Sequence, residues 1–539
     1  MTQSVTYRID DVFAPGHVGE LTQVIPTELV DAVLEETGTR ERRLRSLPSR
    51  VGVYFVLALG LFEHLGAGLV WGKLVAGLAA AVPQTSEKAL RDLRRRIGVV
   101  PFQRLFEVLA GPLAQPSTPG VRYRRRRTVA FDGCGSLNVP DHERNRSWLG
   151  RTPRRHGPSG YPRLMLMTLC ETSTRGLITA AFGPASKGET DYAHDLVSHL
   201  TSDMLLLADR AFDSNKLLAD VVAQGAQFLI RATSTRRPPV LALLPDGSYL
   251  TRIGGVRLRV IEAEIRSRTS DGDDFGGTYR LLTTLSDHRT DPADRLVGLY
   301  HERWEIETAY LALRHTLLKG RVLRSKDLVG LTQEMWALLA IYQALRSMMV
   351  TAVETVPGCD PDRAGFTVAL EAARETVVGV AGTAAAATPS GRPDLVGHIG
   401  TRVLKALLPK RRMRLSARIV KCGTSRYNIW NRDGRPRDSK PITAIVITVH
   451  PPALPTTHAP DRATSGRWGQ VCRILAEHSN QAMHARDIAG HLGLLATGRA
   501  LSGFNAQLCY WVRNGRLTRT APSTYKIPLL EALTPSTEP

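Results

Sequence analysis

The sequence predicts a mixed α/β fold, with a helical region before it and a small separate region after it. Residues 25–115 have the spacing of amphipathic helices, whereas residues 128–231 contain five short apolar stretches typical of strands, with helical stretches between the later ones. Three strands followed by alternating helix and strand indicate a mixed sheet with helices on its faces.

The N-terminal residues 1–118 are predicted to form a helical domain. Ile25–Glu36 is amphipathic, and Val51–Leu65 is nearly all apolar. Ser86 is suited to cap a helix that runs through Arg96, with leucines on one face and arginines on the others. We therefore expect a compact helical unit that contains one basic helix and is followed by a proline-rich linker.

Residues 119–350 contain the predicted sheet, and their elements follow the order of a ribonuclease H-like core. Helices are expected at about Glu189–Leu200 and Ser214–Gln224. Further strand patterns interrupt the core order, so we interpret about residues 232–290 as an inserted β subdomain. The core strands are predicted at Thr128–Asp132, Leu164–Cys170, Leu177–Phe182, Leu205–Asp209 and Gln227–Arg231.

Two helices and a small domain are predicted after the insertion. A long helix begins near Pro292, a residue that fits a first helical turn, and runs to about Leu318. Glu334–Val350 forms another, strongly apolar helix. Residues 351–450 are predicted to be a helical and basic extension. Beyond a proline-rich linker, residues 466–530 contain three helical stretches and a hairpin, an arrangement that resembles a winged helix.

The chain is strongly basic, because 71 Lys and Arg residues against 50 Asp and Glu residues give a formal charge of +21. A positive field of this size attracts polyanions. The excess is bunched, which favours a nucleic-acid surface over a merely basic protein. The runs are Arg42–Arg50, Arg91–Arg96, Arg122–Arg127, Arg151–Arg155 and Lys410–Arg418.

Cysteine usage and hydropathy indicate a reducing compartment and no membrane segment. The 6 cysteines are scattered, without the paired spacing of a zinc site. The N-terminus lacks the apolar core of a signal peptide, and no apolar run approaches the roughly 20 residues that span a bilayer. We expect a cytoplasmic protein.

Three acidic residues stand out as candidate metal ligands. Asp132 and Asp209 each come where an apolar strand ends, and Glu307 lies on the predicted long helix. Carboxylates are preferred ligands of Mg²⁺, and two such ions can catalyse phosphodiester cleavage and transfer. Single acidic residues at strand ends are usually just solvated, so the argument depends on the helix.

That helix carries an unusual stripe. Arg303, Glu307, Tyr310 and Arg314 follow the spacing that stacks side chains on one face, and Tyr300 lies one turn earlier. A solvated ion pair would explain Arg303 and Glu307 but neither Tyr300 nor Arg314. The other acidic residues on this helix point elsewhere; they are Glu302 and Glu305.

These residues resemble the DDE transposases of the insertion-sequence-four type, including their Y-R-E-K signature. The resemblance extends from about residue 20 to 430 and is specific because several motifs combine. The motifs are Glu41–Pro48, Asp132–Gly133, Asp141–Gly150, Lys187–Glu189, Leu207–Ser214, Tyr300–Glu307 with Arg314, Arg324–Lys326 and Gln333–Leu339.

The resemblance implies a role for each matching residue. Asp132, Asp209 and Glu307 become the catalytic, metal-binding triad. The expected DNA contacts are Arg210, Tyr300, Arg303, Trp304 and Arg314, with Trp304 as a stacking surface for an extruded base or, equally, plain core packing. Arg314 stands where the signature has Lys, Ala211 replaces the usual Gly, and the insertion lacks the Trp of some relatives. Tyr249, Phe275 and Tyr279 are candidate substitutes for that Trp.

The activity so implied is DNA transposition. Two Mg²⁺ ions, with Mn²⁺ as a substitute, would support cleavage at transposon ends and transfer of 3′-hydroxyl ends into target DNA. The expected partners are double-stranded DNA, with terminal inverted repeats and target sites, and a second copy of the chain in a synaptic homodimer at the nucleoid. The alternatives are a ribonuclease H-like nuclease without strand transfer and a domesticated DNA-binding protein without catalysis.

Overall fold

One large sheet organises the first of the two compact units into which the chain divides, Met1–Pro452 and Ala453–Pro539. The computed structural model describes residues 16–41, 47–78, 85–150, 160–269, 274–379, 396–409, 442–452, 467–478, 481–494, 499–513 and 517–526. The basic runs Arg151–Arg155 and Lys410–Arg418 lie outside these residues, as does Cys422.

In the described part of the chain, five α-helices precede the sheet, three of which lie where the sequence predicts helices. The Ser86 hydroxyl accepts a hydrogen bond from the Ala89 amide and caps the fourth helix, so the predicted cap is confirmed. The second helix is buried on nearly every side because its neighbours pack around it. The helices are α1 Thr27–Glu36, α2 Ser49–Leu61, α3 Ala67–Val75, α4 Glu87–Ile97 and α5 Val100–Leu109.

The described strands and helices that follow alternate as expected for a mixed α/β fold. In chain order they are β1 Arg122–Tyr123, β2 Arg126–Asn138, α6 Glu143–Leu149, β3 Arg163–Glu171, β4 Leu177–Pro184, α7 Glu189–Leu196, β5 Met204–Ala208, α8 Asn215–Ala223, β6 Gln227–Arg231, β7 Ala242–Leu243, β8 Tyr249–Ile253, β9 Val256–Thr269 and β10 Asp274–Thr283.

The core strands lie in the order β4-β3-β2-β5-β6. β2 pairs in parallel with β5, and β5 with β6, whereas β2, β3 and β4 pair antiparallel. α7 connects β4 to β5, and α8 connects the two parallel strands β5 and β6. This mixed sheet fits the predicted ribonuclease H-like core.

The insertion does not form a separate subdomain, in contrast to the expectation. β10 pairs antiparallel with β6, with Leu282 opposite Ile230, and β9 and β8 continue outward, so the insertion extends the core sheet. The helical and basic extension predicted at 351–450 also contains a strand, because β11 Ile442–His450 pairs with the second half of β9. These pairings cover what would otherwise be an open edge at β6.

The helices after the insertion include one long apolar element. They are α9 Ala293–Tyr300, α10 Trp304–Leu311, α11 Leu328–Glu354, α12 Phe366–Gly379 and α13 Gly397–Lys405. Within the described ranges, α11 is long and apolar enough to cross a membrane by length and composition, which the sequence reading overlooked. Its side chains are instead mostly buried against α2, α5, α12 and α13, as befits a core helix.

The second unit is small and has its own core. Its described elements are α14 Arg467–Glu477, β12 Met483–His484, α15 Ala485–His491, α16 Arg499–Arg513, β13 Thr518–Ala521 and β14 Thr524–Lys526. The three strands form a sheet in the order β12-β14-β13. Val471, Leu475, Phe504, Leu508 and Trp511 are among its buried residues.

Candidate active site

Strand register brings Asp132 and Asp209 to neighbouring positions. The last parallel pair between β2 and β5 is Ala130 opposite Leu207. Two residues further along each strand come Asp132 and Asp209, which therefore face the same side of the sheet on strands roughly 4.8 Å apart. Asp132 is not at a strand end as predicted, because β2 continues to Asn138 by pairing with β3, where Thr168 lies opposite Asp132.

The Asp209 side chain caps a short turn. It directly follows β5, and its side chain accepts a hydrogen bond from the Arg210 amide at the start of a single 3₁₀ turn, Arg210–Phe212. The Arg210 side chain itself is exposed. The turn thus fixes the direction of the Asp209 carboxylate and leaves the neighbouring guanidinium in solvent.

The helix that carries Glu307 is interrupted, in contrast to the single helix predicted from Pro292 to Leu318. A 3₁₀ turn, His301–Arg303, separates α9 from α10, and α10 continues as a π-helical segment, Ala312–Leu317. The sequence has no Gly or Pro at these points to indicate either change. π-Helical turns occur mostly inside α-helices and frequently at functional sites.

Two contacts of the Tyr310 hydroxyl hold this helix against the sheet near Asp132. The Tyr310 hydroxyl lies 2.8 Å from the Thr168 hydroxyl and donates a hydrogen bond to the Asp132 carbonyl. Arg303 donates to the Glu307 carboxylate at 2.8 Å. Tyr310, at the end of the stripe, thus contacts β2 and β3 at Asp132 and Thr168. No hydrogen bond or ion pair among the described residues joins Arg314 to the triad, and Arg314 lies within the π-helical segment.

Arg303 lies near the carboxylates of all three triad residues. Burial would lower the pKa of Arg303, but nearby Tyr300, Asp132, Asp209 and Glu307 raise it above its usual value. Burial raises the pKa of Asp132 to about 7, which Arg303 opposes and the negative charge of Glu307 reinforces. The three carboxylates therefore share one buried guanidinium.

A fourth acidic residue, Glu189, lies at this site, and the sequence reading did not assign it a role. A Cβ at Gly133 would lie 2.7 Å from Cγ of Glu189, so the Glu189 side chain lies directly over the residue that follows Asp132. Burial and the charge of Asp209 raise the pKa of Glu189, and Glu189 in turn helps to raise the pKa of Asp132. The only indication of Glu189 in the sequence was its place in the motif Lys187–Glu189.

The donor set fits a divalent cation. Within the described ranges, no three acidic, His or Cys side chains already surround a common point that could hold a metal ion. The site nevertheless offers only carboxylate oxygens, which hard cations such as Mg²⁺ prefer. Burial raises the pKa of Asp132, and the charges of Glu307 and Glu189 add to the rise, so a bound cation would stabilise its carboxylate form.

An aromatic cluster borders the triad. Tyr279, from the insertion, lies edge-on to Tyr300 at 6.3 Å and to His301 at 5.6 Å, and the Arg231 guanidinium lies 4.5 Å from the Tyr279 ring centroid. Neither nitrogen of the buried His301 ring has a hydrogen-bond partner among the described residues, and burial lowers its pKa to about 4. Trp304 is half-buried, and the Arg303 guanidinium carbon lies 5.6 Å from the centroid of the Trp304 ring.

Of the other two candidate substitutes for the missing Trp, Tyr249 is buried and its hydroxyl donates to Glu262. The Phe275 side chain lies outside the described part of the chain. Tyr279 is therefore the candidate that the described structure brings to the signature Tyr300.

Glu305, one of the two acidic residues set aside in the sequence, belongs to a different group of charges. Glu305 is buried and accepts a hydrogen bond from Arg175 at 2.6 Å; Arg175 also pairs with Asp362. The Tyr342 hydroxyl donates to the Arg175 carbonyl at 2.8 Å. Glu305 therefore belongs to a buried ion network that anchors α10 to the rest of the unit.

Comparison with known proteins identifies the family. Residues 15–107 match the family model described as Insertion element 4 transposase N-terminal, and residues 127–344 match the Transposase DDE domain. The transposase InsG for insertion sequence element IS4 of Escherichia coli (strain K12) is 25% identical over 409 residues, covering 74% of this chain and 91% of the relative.

Among solved structures, the cryo-EM structure of the piggyBac transposase synaptic complex with hairpin DNA covers 76% of this chain and 86% of its own, with 12% identity and a TM-score of 0.34. The enzymes of the DDE family are metal-dependent polynucleotidyl transferases or endonucleases that generally use divalent metal ions. The two matched family models, together with the relative, show that this chain belongs to the DDE transposases of the IS4 type.

Proposed function

We propose that this transposase cleaves DNA at transposon ends and joins the freed 3′-hydroxyl ends to target DNA in one active site. The observation that carries the proposal is the register that makes Asp132 and Asp209 neighbours, together with the Arg303–Glu307 pair that faces them. Cleavage and joining need the same ligands and differ only in the nucleophile, water or a 3′-hydroxyl.

Asp132, Asp209 and Glu307 are the proposed metal ligands, with Glu189 as a fourth carboxylate beside them. The ions, two Mg²⁺ or Mn²⁺ in their place, supply activation of the nucleophile and stabilisation of the leaving oxygen. Arg303 offsets part of the carboxylate charge in this structure. We infer that Arg303 also contacts the phosphate group at the cleavage point.

The DNA contacts follow from what each side chain offers. Arg210 is exposed beside Asp209, and Arg314 makes no ion pair with the described residues, so both guanidiniums are available to phosphates. Tyr300, Trp304 and Tyr279 provide ring surfaces next to the triad. A base taken out of the stack needs such surfaces, which favours second-strand cleavage through a hairpin.

The remaining assignments concern the whole chain. We infer that residues 1–118 and the winged-helix-like residues 466–530 bind DNA. Residues 119–350 form the catalytic domain, with its insertion at about 232–290. Residues 351–450 extend the catalytic domain. The described order helix, strand, helix, helix, hairpin supports the winged helix. Two ends must be handled together, so we propose a synaptic homodimer acting on terminal repeats. We propose a cytoplasmic enzyme, for which the bacterial relative is the support, and we further propose that it acts at the nucleoid.

Incubation with end-labelled transposon DNA, Mg²⁺ and a target plasmid tests the proposal, with Asp132→Asn as the inactive control. Strand transfer yields label joined to plasmid, and a hairpin yields both strands as one covalent species on a denaturing gel. Cleavage without joined plasmid would instead establish the nuclease alternative, and DNA binding without any metal-dependent cleavage would establish the domesticated binder. If Trp304→Ala keeps full excision and neither protein gives a hairpin, Trp304 is core packing.

A further inference from the structure

Three sequence motifs that the active site does not use meet at one groove. The groove has a volume of about 770 Å³. Its walls are the arginine-rich α4, the start of α6 and the loop that leads into α11. The residues that matter are Arg91, Arg94, Arg95, Arg144, Arg324 and Lys326, which we call the cationic groove.

Hydrogen bonds fix the walls of the cationic groove. Arg94 donates to the Gln333 side chain at 3.1 Å and to the Ser325 hydroxyl at 3.2 Å. The Glu334 carboxylate accepts from the Arg324 and Ser325 amides, both within 3.0 Å. Asn145 donates to the Ser325 carbonyl at 3.0 Å and so ties α6 to the same loop. The groove is therefore preorganised across three elements that are distant in sequence.

The charge of the groove is unbalanced. Among the described residues that line it, the one carboxylate, Asp327, is engaged as the cap of α11, where it accepts from the Gly330 amide at 2.8 Å. Arg91, Arg144 and Lys326 are exposed and form no ion pair with any described residue. Burial and the neighbouring Arg94 and Arg321 lower the pKa of Arg324, although Glu334 partly opposes this. Such a surface favours a polyanion.

The groove lies at a defined distance from the triad. The Leu323 amide donates to the carbonyl of Asn138, the last residue of β2, at 3.0 Å. The strand from Asp132 to Asn138 spans at most about 20 Å at roughly 3.3 Å per residue, because an irregularity between Cys134 and Leu137 shortens it slightly. At about 3.4 Å per base pair this corresponds to roughly six base pairs of DNA.

We propose that the cationic groove binds the phosphodiester backbone of the duplex about six base pairs from the cleavage point, a proposal that rests on the proposed function of the triad. Phosphates seated there would fix the register of the DNA end relative to Asp132 without reading its sequence. Arg91, Arg144 and Lys326 supply the exposed contacts, and the half-buried Arg94 and Arg324 support them.

Salt titration of the full-length chain tests this proposal. The groove variant carries Arg91→Ala, Arg144→Ala and Lys326→Ala. The matched control removes three exposed cations on other elements, with Arg252→Ala, Arg289→Ala and Lys405→Ala, so both proteins lose the same charge. Affinity for a transposon-end duplex that extends about 20 base pairs from the cleavage point is measured by anisotropy against salt concentration.

The groove variant should lose at least about tenfold in affinity, and its salt slope should fall by about 2–3, because each lost phosphate contact lowers the slope by about 1. The control should keep the slope of the natural chain. Equal losses in both proteins would overturn the proposal, since net charge alone would then explain them.

Cleavage of a duplex cut back to about four base pairs beyond the cleavage point, at saturating enzyme, separates this proposal from the function of the triad. The groove variant and the natural chain should cleave it equally, because the DNA does not reach the groove. A defect of the groove variant alone would overturn the proposal. Failure of both proteins to cleave any duplex would instead count against the triad and leave the binding result standing.

Discussion

Two groups of charges, each around one buried arginine, share helix α10 and differ in their balance. On one side, Asp132, Asp209 and Glu307 share Arg303, with Glu189 close by. On the other side, Glu305 and Asp362 pair directly with Arg175. Both groups are built from carboxylates and one arginine. In the first group the pKa of Asp132 is raised to about 7, whereas in the second group the carboxylates form close ion pairs with the arginine.

This difference teaches how to tell a binding site from a structural network. Buried charges are tolerated when they are paired and hydrogen-bonded. The Arg175 network meets that condition within the chain. The Arg303 group places three carboxylates beside one arginine, which makes it the candidate site for a cation from outside.

The largest expected effect is the loss of activity in the Arg303 group. Asp132→Asn, Asp209→Asn and Glu307→Gln should each reduce Mg²⁺-dependent cleavage by about 10³-fold or more, because charge stabilisation by the ions contributes several kcal/mol to the rate. DNA binding should be nearly unchanged. Cleavage assays and anisotropy on the same proteins measure both quantities.

Glu302→Gln is the control for the triad variants, because Glu302 is half-buried on the same stretch of chain. An inactive Glu302→Gln beside an active Glu307→Gln would show that the wrong face of the helix had been assigned. Glu305→Gln, in contrast, is not a neutral control, since it breaks the Arg175 network.

Breaking the Arg175 network should lower stability rather than chemistry. Arg175→Met leaves two carboxylates without their partner and should reduce the free energy of unfolding by about 3–5 kcal/mol. Urea denaturation followed by tryptophan fluorescence measures the change, and exposed Arg95→Met is the matched control. A loss no greater than that of the control would mean that the network is not structural.

The stability of the metal-free protein should fall as the pH rises from about 4 to about 7. The folded chain keeps the proton of Asp132 up to a pKa of about 7, whereas the unfolded chain loses it near the ordinary pKa of 3.8. Protonation therefore favours the folded state, and the stabilisation disappears as the pH rises through 7. The change is on the order of a few kcal/mol at most.

Denaturation in chelator across this pH range measures the slope, and Asp132→Asn should remove most of it. Metal affinity should change in the opposite sense, since a ligand must lose its proton before it binds. A metal-free protein whose stability rises between about pH 4 and 7 in an Asp132-dependent manner would contradict the charge imbalance.

The smallest effect concerns Glu189. Glu189→Gln should weaken Mn²⁺ binding by about tenfold, the lower end of the range for residues that support metal ligands. Gly133→Ala should act in the same direction, because its Cβ would displace the Glu189 side chain. Calorimetry with Mn²⁺ measures both. Unchanged affinity in Glu189→Gln, beside weakened affinity in Glu307→Gln, would remove Glu189 from the site.

Much of the fold could be predicted from local patterns. The short apolar runs of the core strands and the Ser86 cap depend on neighbours in sequence, and both appear in the structure. The breaks around α10 and the pairing of β10 with β6 could not be predicted. They depend on packing against residues far away in the chain, which leave no periodic pattern.

The sequence by itself determined the charge, the alternation of strands and helices, and the three acidic residues with the Tyr300–Glu307 stripe, because residue type and spacing fix them. Only the tertiary structure decided that Asp132 and Asp209 lie side by side, that Glu305 is structural and that Glu189 joins the site. The physical reason is that these properties depend on strand register and on burial, which arise only when distant segments pack together.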